Sequence, residues 1–197
     1  MSVPTFPGKQ ASVRWWLEAA TVATQSPFTL TEQVQDWGGR QWQFEIPVGI
    51  TQGADGRRLS AFFNALGGAA GRFILPIVSQ RSTVYFGSPV MWFLAEAGAS
   101  TILSEGWTPG ADVQPGDLFS VGTGASRRLH EVSQEAIAGP LGRITLQFHP
   151  PLRAQLPVGA ALDFATPSCA CRLTGPVPAD IAPADIYRFT LRAREAL

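Results

Sequence analysis

The chain has 197 residues, of which 45% are hydrophobic and only 15% are charged, and its 15 basic and 15 acidic residues cancel. The hydrophobic content excludes a disordered chain, and the neutral balance excludes a general nucleic-acid binder, which needs a basic face. No apolar run reaches the roughly 20 residues of a membrane span, and the first residues lack a signal-peptide pattern. We therefore expect folding in a reducing cytoplasm, although so neutral and aromatic a chain should be poorly soluble as a free monomer.

The first half predicts an extended arm, a set of strands and one helix. Residues 1–10 contain two prolines and a glycine and are typical of an arm. Aromatic and alternating stretches at 13–19, 28–34 and 41–46 predict strands. The intervening Asp36–Arg40 segment contains two glycines and is interpreted as a hairpin turn.

The helix is predicted from an apolar stripe formed by Leu59, Phe62, Phe63 and Leu66. Asp55 is expected to cap its start, and Gly67-Gly68 to end it. A strand follows at 73–77, where Pro76 favours a sheet edge or a strand end.

From about Tyr85, short strand-like pieces alternate with glycine and proline, which predicts a small barrel or sandwich. A proline-rich connector (173–185) then leads to a strand at 186–193, which needs a partner from the first part of the chain. We therefore predict a mainly β protein with one short α-helix: an N-terminal arm (1–10), a β-sandwich-like domain (11–84 and 183–197), and an inserted β module (85–182).

Nothing in the sequence indicates catalysis or cofactor binding. No phosphate-binding loop, dinucleotide fingerprint, zinc-protease motif or nucleophile elbow occurs. His130 and His149 are interpreted as structural histidines, and Asp117, in Pro-Gly-Asp, as a turn residue. Cys169 and Cys171 lack the spacing of a zinc site and are interpreted as small, half-buried hydrophobic residues. We therefore predict a protein that is not an enzyme and binds no cofactor or metal.

Aromatic residues indicate protein interfaces instead. Trp15 and Trp16 are adjacent, so on a strand they face opposite sides, while Trp37 and Trp107 lie in turn-like sequence. Exposed tryptophan is enriched at interfaces, and arginine, which supplies every basic residue except Lys9, tolerates desolvation there. The candidate interface residues are Trp15, Trp16, Trp37, Arg40 and Trp107.

A resemblance rests on the order of several motifs. They are residues 37–42 (Trp-Gly-Gly-Arg-Gln-Trp), the helix at 61–66, the Gly-Arg-Phe-Ile-Leu-Pro stretch at 71–76, Gly116-Asp117, residues 128–132 and residues 151–153. This order resembles minor tail proteins of long-tailed bacteriophages (siphoviruses), especially the distal tail protein type, from about Thr24 to the C-terminus.

The resemblance implies a structural protein of the virion. Its members form a ring, commonly six-fold, that joins the tail tube to the hub and the receptor-binding parts. A homo-oligomer that contacts the tube, hub and tape measure proteins is therefore expected at the tail tip, after assembly in the host cytoplasm. No catalytic residues belong to the pattern, and no specific nucleic-acid binding is expected.

Two alternatives are kept. A carbohydrate- or receptor-binding tail module would use Trp92 and Trp107 to stack on sugar rings. A tail-associated hydrolase would use His130 with Glu131 and Asp117.

Overall fold

Alternating apolar and polar residues fold into antiparallel sheets in the computed structural model, which describes residues 3–78 and 87–197. Within these residues, fifteen strands form four sheets beside a single α-helix. The predicted mainly β class with one short helix is confirmed. The elements are β1 (Arg14–Gln25), β2 (Glu32–Pro47), β3 (Thr51–Gln52), α1 (Ala54–Ala65), β4 (Phe73–Pro76), β5 (Gly87–Met91), β6 (Thr101–Trp107), β7 (Asp112–Val113), β8 (Leu118–Val121), β9 (Arg128–Val132), β10 (Ala136–Ile137), β11 (Ile144–His149), β12 (Ser168–Leu173), β13 (Asp180–Ala182), β14 (Ile186–Arg188) and β15 (Thr190–Glu195).

The first large sheet joins both ends of the chain in the order β1-β2-β15-β12-β4. The C-terminal strand pairs antiparallel with β2, with Leu191 opposite Ile46, so it returns to the first part of the chain as its alternation required. The sheet also includes β12, which the sequence analysis placed in the inserted module. Alternation shows that a segment is a strand but not which sheet it joins. The predicted boundary between residues 84 and 85 lies outside the described residues.

The C-terminal strand is divided at Phe189, whereas the sequence predicted one strand over 186–193. The first piece, β14, lies between β13 and β3 in a three-stranded sheet, and β15 lies in the first large sheet. The carbonyl of Phe189 accepts a hydrogen bond from the Val48 amide at 3.0 Å between the two pieces. Alternation continues across this point, with Tyr187, Phe189 and Leu191 buried, so a period of two does not reveal the break.

The apolar stripe predicted on helix α1 packs into the core beside the first large sheet. Leu59, Phe63 and Leu66 are buried, and the Phe63 ring lies 5.5 Å from the ring of Phe189. Asp55 does not cap the helix: the N-cap is Gly53, and Asp55 lies in the first turn, where its carboxylate is 3.4 Å from Arg58. The expected glycine stop is confirmed, because Gly67 has a left-handed backbone (φ 62°) just beyond the helix end.

The N-terminal arm covers one edge of the first sheet. The Ile74 amide donates to the carbonyl of Pro4, and the Phe6 amide donates to the carbonyl of Ile74, each at 2.8 Å. The Phe6 side chain is buried in the chain's own core. Pro76 thus lies on an edge strand, as expected, and this edge is closed by the arm.

The second large sheet has the order β5-β6-β11-β9-β8 and surrounds a separate core. That core includes Met91, Trp107, Phe119, Leu146 and Phe148. Trp42, from the first sheet, connects the two regions: its indole Nε1 donates to the Leu129 carbonyl on β9 at 2.9 Å. The two regions are therefore joined by buried contacts as well as by the chain.

Candidate functional site

Strands β1 and β2 form a long hairpin that extends beyond the first core. Pairing runs from Arg14 opposite Glu45 to Gln25 opposite Glu32. The turn lies at residues 26–31, where the Ser26 amide donates to the Thr31 carbonyl at 2.9 Å. The prediction of a turn at Asp36–Arg40 is therefore wrong, because β2 passes straight through that segment.

The two glycines instead form a β-bulge within β2. The register jumps from Ala19 opposite Arg40 to Thr21 opposite Asp36, which leaves extra residues on β2. Gly38 has a left-handed backbone (φ 72°), a conformation that glycine adopts without the cost of a Cβ. A turn and a bulge both need this conformation, so the sequence could not distinguish them.

Asp36 and Arg40 hold the bulge in place. Asp36 accepts hydrogen bonds from the Gly38 amide at 2.8 Å and from two guanidinium nitrogens of Arg40 at 2.9 and 2.6 Å. The Arg40 guanidinium, followed by the Gly38 amide, lowers the pKa of Asp36 to about 2. Arg40, a predicted interface residue, therefore has an identified role within the hairpin.

The hairpin exposes large apolar side chains. Trp15 and Trp16 are 38% and 44% exposed, and Trp37 is 66% exposed, so these three predicted interface residues reach the surface. Val22, Phe28, Leu30 and Val34 are also more than half exposed. Several large apolar side chains exposed on one hairpin favour an interaction site.

Both edges of the hairpin are open within the described part of the chain. Strand β1 is the outer strand of its sheet, and β15 pairs with β2 only between Gln43 and Pro47. The outer part of β2, residues 32–41, therefore pairs with a strand on one side only, namely β1, and of its carbonyls that of Arg40 accepts a hydrogen bond from the Arg153 side chain. Exposed edges of this length are available for pairing with another chain.

Trp107 lies in the second core, not on the surface as its glycine- and proline-containing surroundings suggested. It is 3% exposed, its indole Nε1 donates to Ser104 Oγ at 2.8 Å, and its ring meets Phe164 edge-on at 5.1 Å. Trp92, the other residue of the sugar-stacking alternative, has the Arg143 guanidinium over its ring at 3.6 Å. Trp107 therefore presents no free ring face of the kind that hypothesis required, and one face of Trp92 is occupied by Arg143.

The residues of the hydrolase alternative do not form a cluster. His130 is fully buried on β9, whereas Glu131 follows it on the strand and faces the other side. Burial raises the pKa of Glu131. Asp117 accepts a hydrogen bond from the Gln114 amide at 2.8 Å, which is the turn role expected from its sequence.

The two cysteines lie in β12 with free thiols, and they are completely buried rather than half-buried. Burial raises the pKa of the Cys171 thiol. Among residues 3–78 and 87–197, no three His, Cys, Asp or Glu side chains are grouped closely enough to hold a metal ion.

Sequence reasoning missed a buried carboxylate between two arginines. Glu195 at the end of β15 is 1% exposed, and its oxygens lie 3.8 Å from Arg128 and 3.4 Å from Arg153. Burial raises the pKa of Glu195, and the two guanidinium groups oppose that shift. The only sequence signal is a glutamate at a core-facing position of an alternating strand.

No helix in the described part of the chain is long and apolar enough to cross a membrane. Comparison with protein-family models and with curated proteins gives no match, so the functional proposal depends on the residues and their geometry.

Proposed function

We propose that this chain is a structural subunit of a bacteriophage tail tip. Copies of it would form a ring, with six-fold symmetry expected, that joins the tail tube to the hub and the receptor-binding parts. The motif order in the sequence supports this proposal. The β1–β2 hairpin is the single structural observation that carries it.

The hairpin has the properties of an unfinished assembly surface. An isolated two-stranded ribbon is marginally stable in water, and this one extends beyond the core with apolar residues exposed. Pairing with a partner would satisfy the unpaired backbone groups of both edges and would place neighbouring side chains beside the exposed Val22, Val34 and Trp37. The low charge of the chain has the same explanation, because a surface destined for burial cannot carry many charges.

The position of the open edges supports ring formation. Strand β1 of one copy can pair antiparallel with residues 32–41 of β2 in the next copy, which is a head-to-tail contact. Such contacts generate a closed ring when the rotation between copies closes. A closed ring of hairpins is a β-barrel, and closure removes every exposed edge. The other edge of the sheet, at β4, is covered by the arm and takes no part.

The charges of the hairpin suit a channel for DNA. From Glu18 to Gln41 the hairpin carries three acidic residues and one basic residue, and the basic residue, Arg40, is paired with Asp36. A weakly acidic wall does not attract phosphate groups, so DNA would pass without being held.

Light scattering on the purified full chain tests the proposal. We expect a discrete ring of several copies, formed by the chain alone or after tube and hub proteins are added. Val34→Arg should abolish it, because the arginine places a charge within the contact. Val158→Arg is the matched control, since Val34 and Val158 are both 62% exposed and Val158 lies in the inserted region.

A stable monomer that tube and hub proteins leave unchanged would contradict the proposal. Equal assembly by the Val34→Arg and Val158→Arg variants would contradict the assignment of the hairpin as the contact.

A further inference from the structure

A pocket beside β9 has no role in the proposed ring, although Arg153 in its wall donates a hydrogen bond to the Arg40 carbonyl on β2. It has a volume of about 470 Å³ and lies between strand β9, the end of β8 and residues 152–161. Small-molecule sites usually have volumes of about 300–1,000 Å³, apolar walls and a few convergent polar groups. Six polar residues line this pocket: Arg128, His130 and Arg153, together with the uncharged Thr123, Ser126 and Gln155.

The two arginines bring more positive charge than the protein neutralises. Their shared counter-ion is Glu195, so two cations flank one buried carboxylate. Arg153 Nε is buried and has no hydrogen-bond partner, while one terminal nitrogen of Arg153 donates to the Arg40 carbonyl. A buried donor without an acceptor is costly. An anionic group in the pocket would balance the charge and supply that acceptor.

His130 adds a hydrogen-bond acceptor. Its Nδ1 is 2.7 Å from the Pro150 carbonyl, which can only accept, so Nδ1 carries the hydrogen. Burial first, and the charges of Arg153 and Arg128 in addition, lower the pKa of His130 to about 4, so the ring is neutral near pH 7. Its Nε2 then has a free lone pair, and this fully buried atom has no partner among the described residues. A ligand that satisfies it must carry an O–H or N–H donor.

Most of the remaining wall is apolar. Its apolar part includes Val121, Leu152, Leu156, Pro157, Ala160 and Ala161. A ligand must therefore combine a carboxylate, a nearby hydroxyl and a C–H surface in a small volume. A sugar ring that carries a carboxyl group has all three.

We propose that this pocket binds a carboxylated sugar residue of the uronic-acid type, with its carboxylate at Arg128 and Arg153 and a hydroxyl donating to His130 Nε2. The sugar could be free or the terminal residue of an acidic polysaccharide. The proposal does not depend on ring formation, because none of these residues belongs to the hairpin.

Calorimetric titration of the full chain with three ligands of similar size tests the assignment. Galacturonate has both groups, galactose lacks the carboxylate, and cyclohexanecarboxylate lacks the hydroxyls. We expect galacturonate to bind at least tenfold more tightly than either of the others. A fourth titration, with digalacturonate, distinguishes a free sugar from the end of a polysaccharide. Tighter binding of the disaccharide identifies a polysaccharide end, and equal binding identifies the free sugar. Equal affinity for all three ligands, or no heat with 10 mM galacturonate, would overturn the proposal.

Variants locate the binding. Arg153→Met should weaken galacturonate binding at least tenfold, while Arg58→Met, an exposed arginine on α1, should leave it unchanged. Because Arg153→Met removes a partner of buried Glu195, the variant could fail to fold. Ala161→Leu fills the pocket without touching a charge and should abolish binding by a chain whose melting temperature is unchanged. Binding that survives in folded Ala161→Leu would refute the site.

Discussion

The β1–β2 hairpin and the second large sheet contain similar residues, but these residues differ in their exposure to solvent. Trp37 and Trp107 both have a glycine beside them and a charged residue nearby, yet one is 66% exposed and the other 3%. Trp107 packs against Phe164 in the second core, whereas Trp37 lies on a ribbon that no other described segment of the chain covers. Burial therefore depends on whether the chain supplies a second layer. Where it supplies none, another copy is the expected source.

The largest expected effect on stability is at Trp107, the buried tryptophan of the two. Trp107→Ala should lower the free energy of unfolding by about 3–5 kcal/mol, because it leaves a cavity and removes the contact with Phe164. Chemical denaturation followed by circular dichroism measures this. A loss below about 1 kcal/mol would contradict the burial of Trp107.

The second effect is a pH dependence of the free energy of unfolding, which arises from the buried His130. Its pKa falls from 6.5 to about 4 on folding, so between these values the unfolded chain binds the proton and the folded chain does not. The free energy of unfolding should therefore rise with pH across this window, by about 3 kcal/mol at about 1.4 kcal/mol per unit.

His130→Gln isolates this contribution, because the carboxyl groups of Asp36, Asp163 and Glu195 titrate in both proteins. The difference between wild type and variant should change between pH 4 and 6.5 and be constant above pH 7. A difference that is constant from pH 4 to pH 8 would show that His130 is not the group responsible.

A smaller effect is expected at the bulge of the hairpin. Gly38→Ala places a Cβ on a left-handed residue and should cost about 1–2 kcal/mol. Gly175→Ala is the control, since Gly175 has no left-handed backbone and no atom near its added Cβ. Thermal unfolding of the two variants gives the comparison, and equal melting temperatures would contradict the bulge geometry.

The smallest effect on stability is expected for the exposed tryptophan. Trp37→Ala should change the free energy of unfolding by less than about 0.5 kcal/mol, as surface substitutions usually do. The same variant should weaken assembly in light scattering, because Trp37 would be buried between copies. A large loss of stability in the monomer would show that the hairpin packs on its own chain.

Much of the fold was predictable because local patterns determined it. The apolar stripe located the helix, Gly67-Gly68 marked its end, and alternation located the inner part of β2 and the strands β11 and β15. The errors occurred where one pattern fits two structures. Gly38-Gly39 suits a turn and a bulge equally well, and Cys169–Leu173 gives no sign of the sheet that it joins.

The candidate site was predictable only in part, for the same reason. The candidate interface residues Trp15, Trp16 and Trp37 are exposed, but Trp107 was assigned by its loop-like neighbours, and its burial depends on Phe164, more than 50 residues later in the sequence. The pocket was not predicted at all, because Arg128, Arg153 and Glu195 lie on separate segments that only pairing brings together.

The sequence by itself determined that the chain is mainly β, that one helix packs by its apolar stripe, and that the last strand must pair with a distant one. These properties follow from periodicity, which is local. The tertiary structure alone decided which tryptophans are buried, which sheet edges are open and which charges meet beneath the surface. These properties depend on neighbours distant in sequence, because the burial and pairing of a side chain are set by what packs against it.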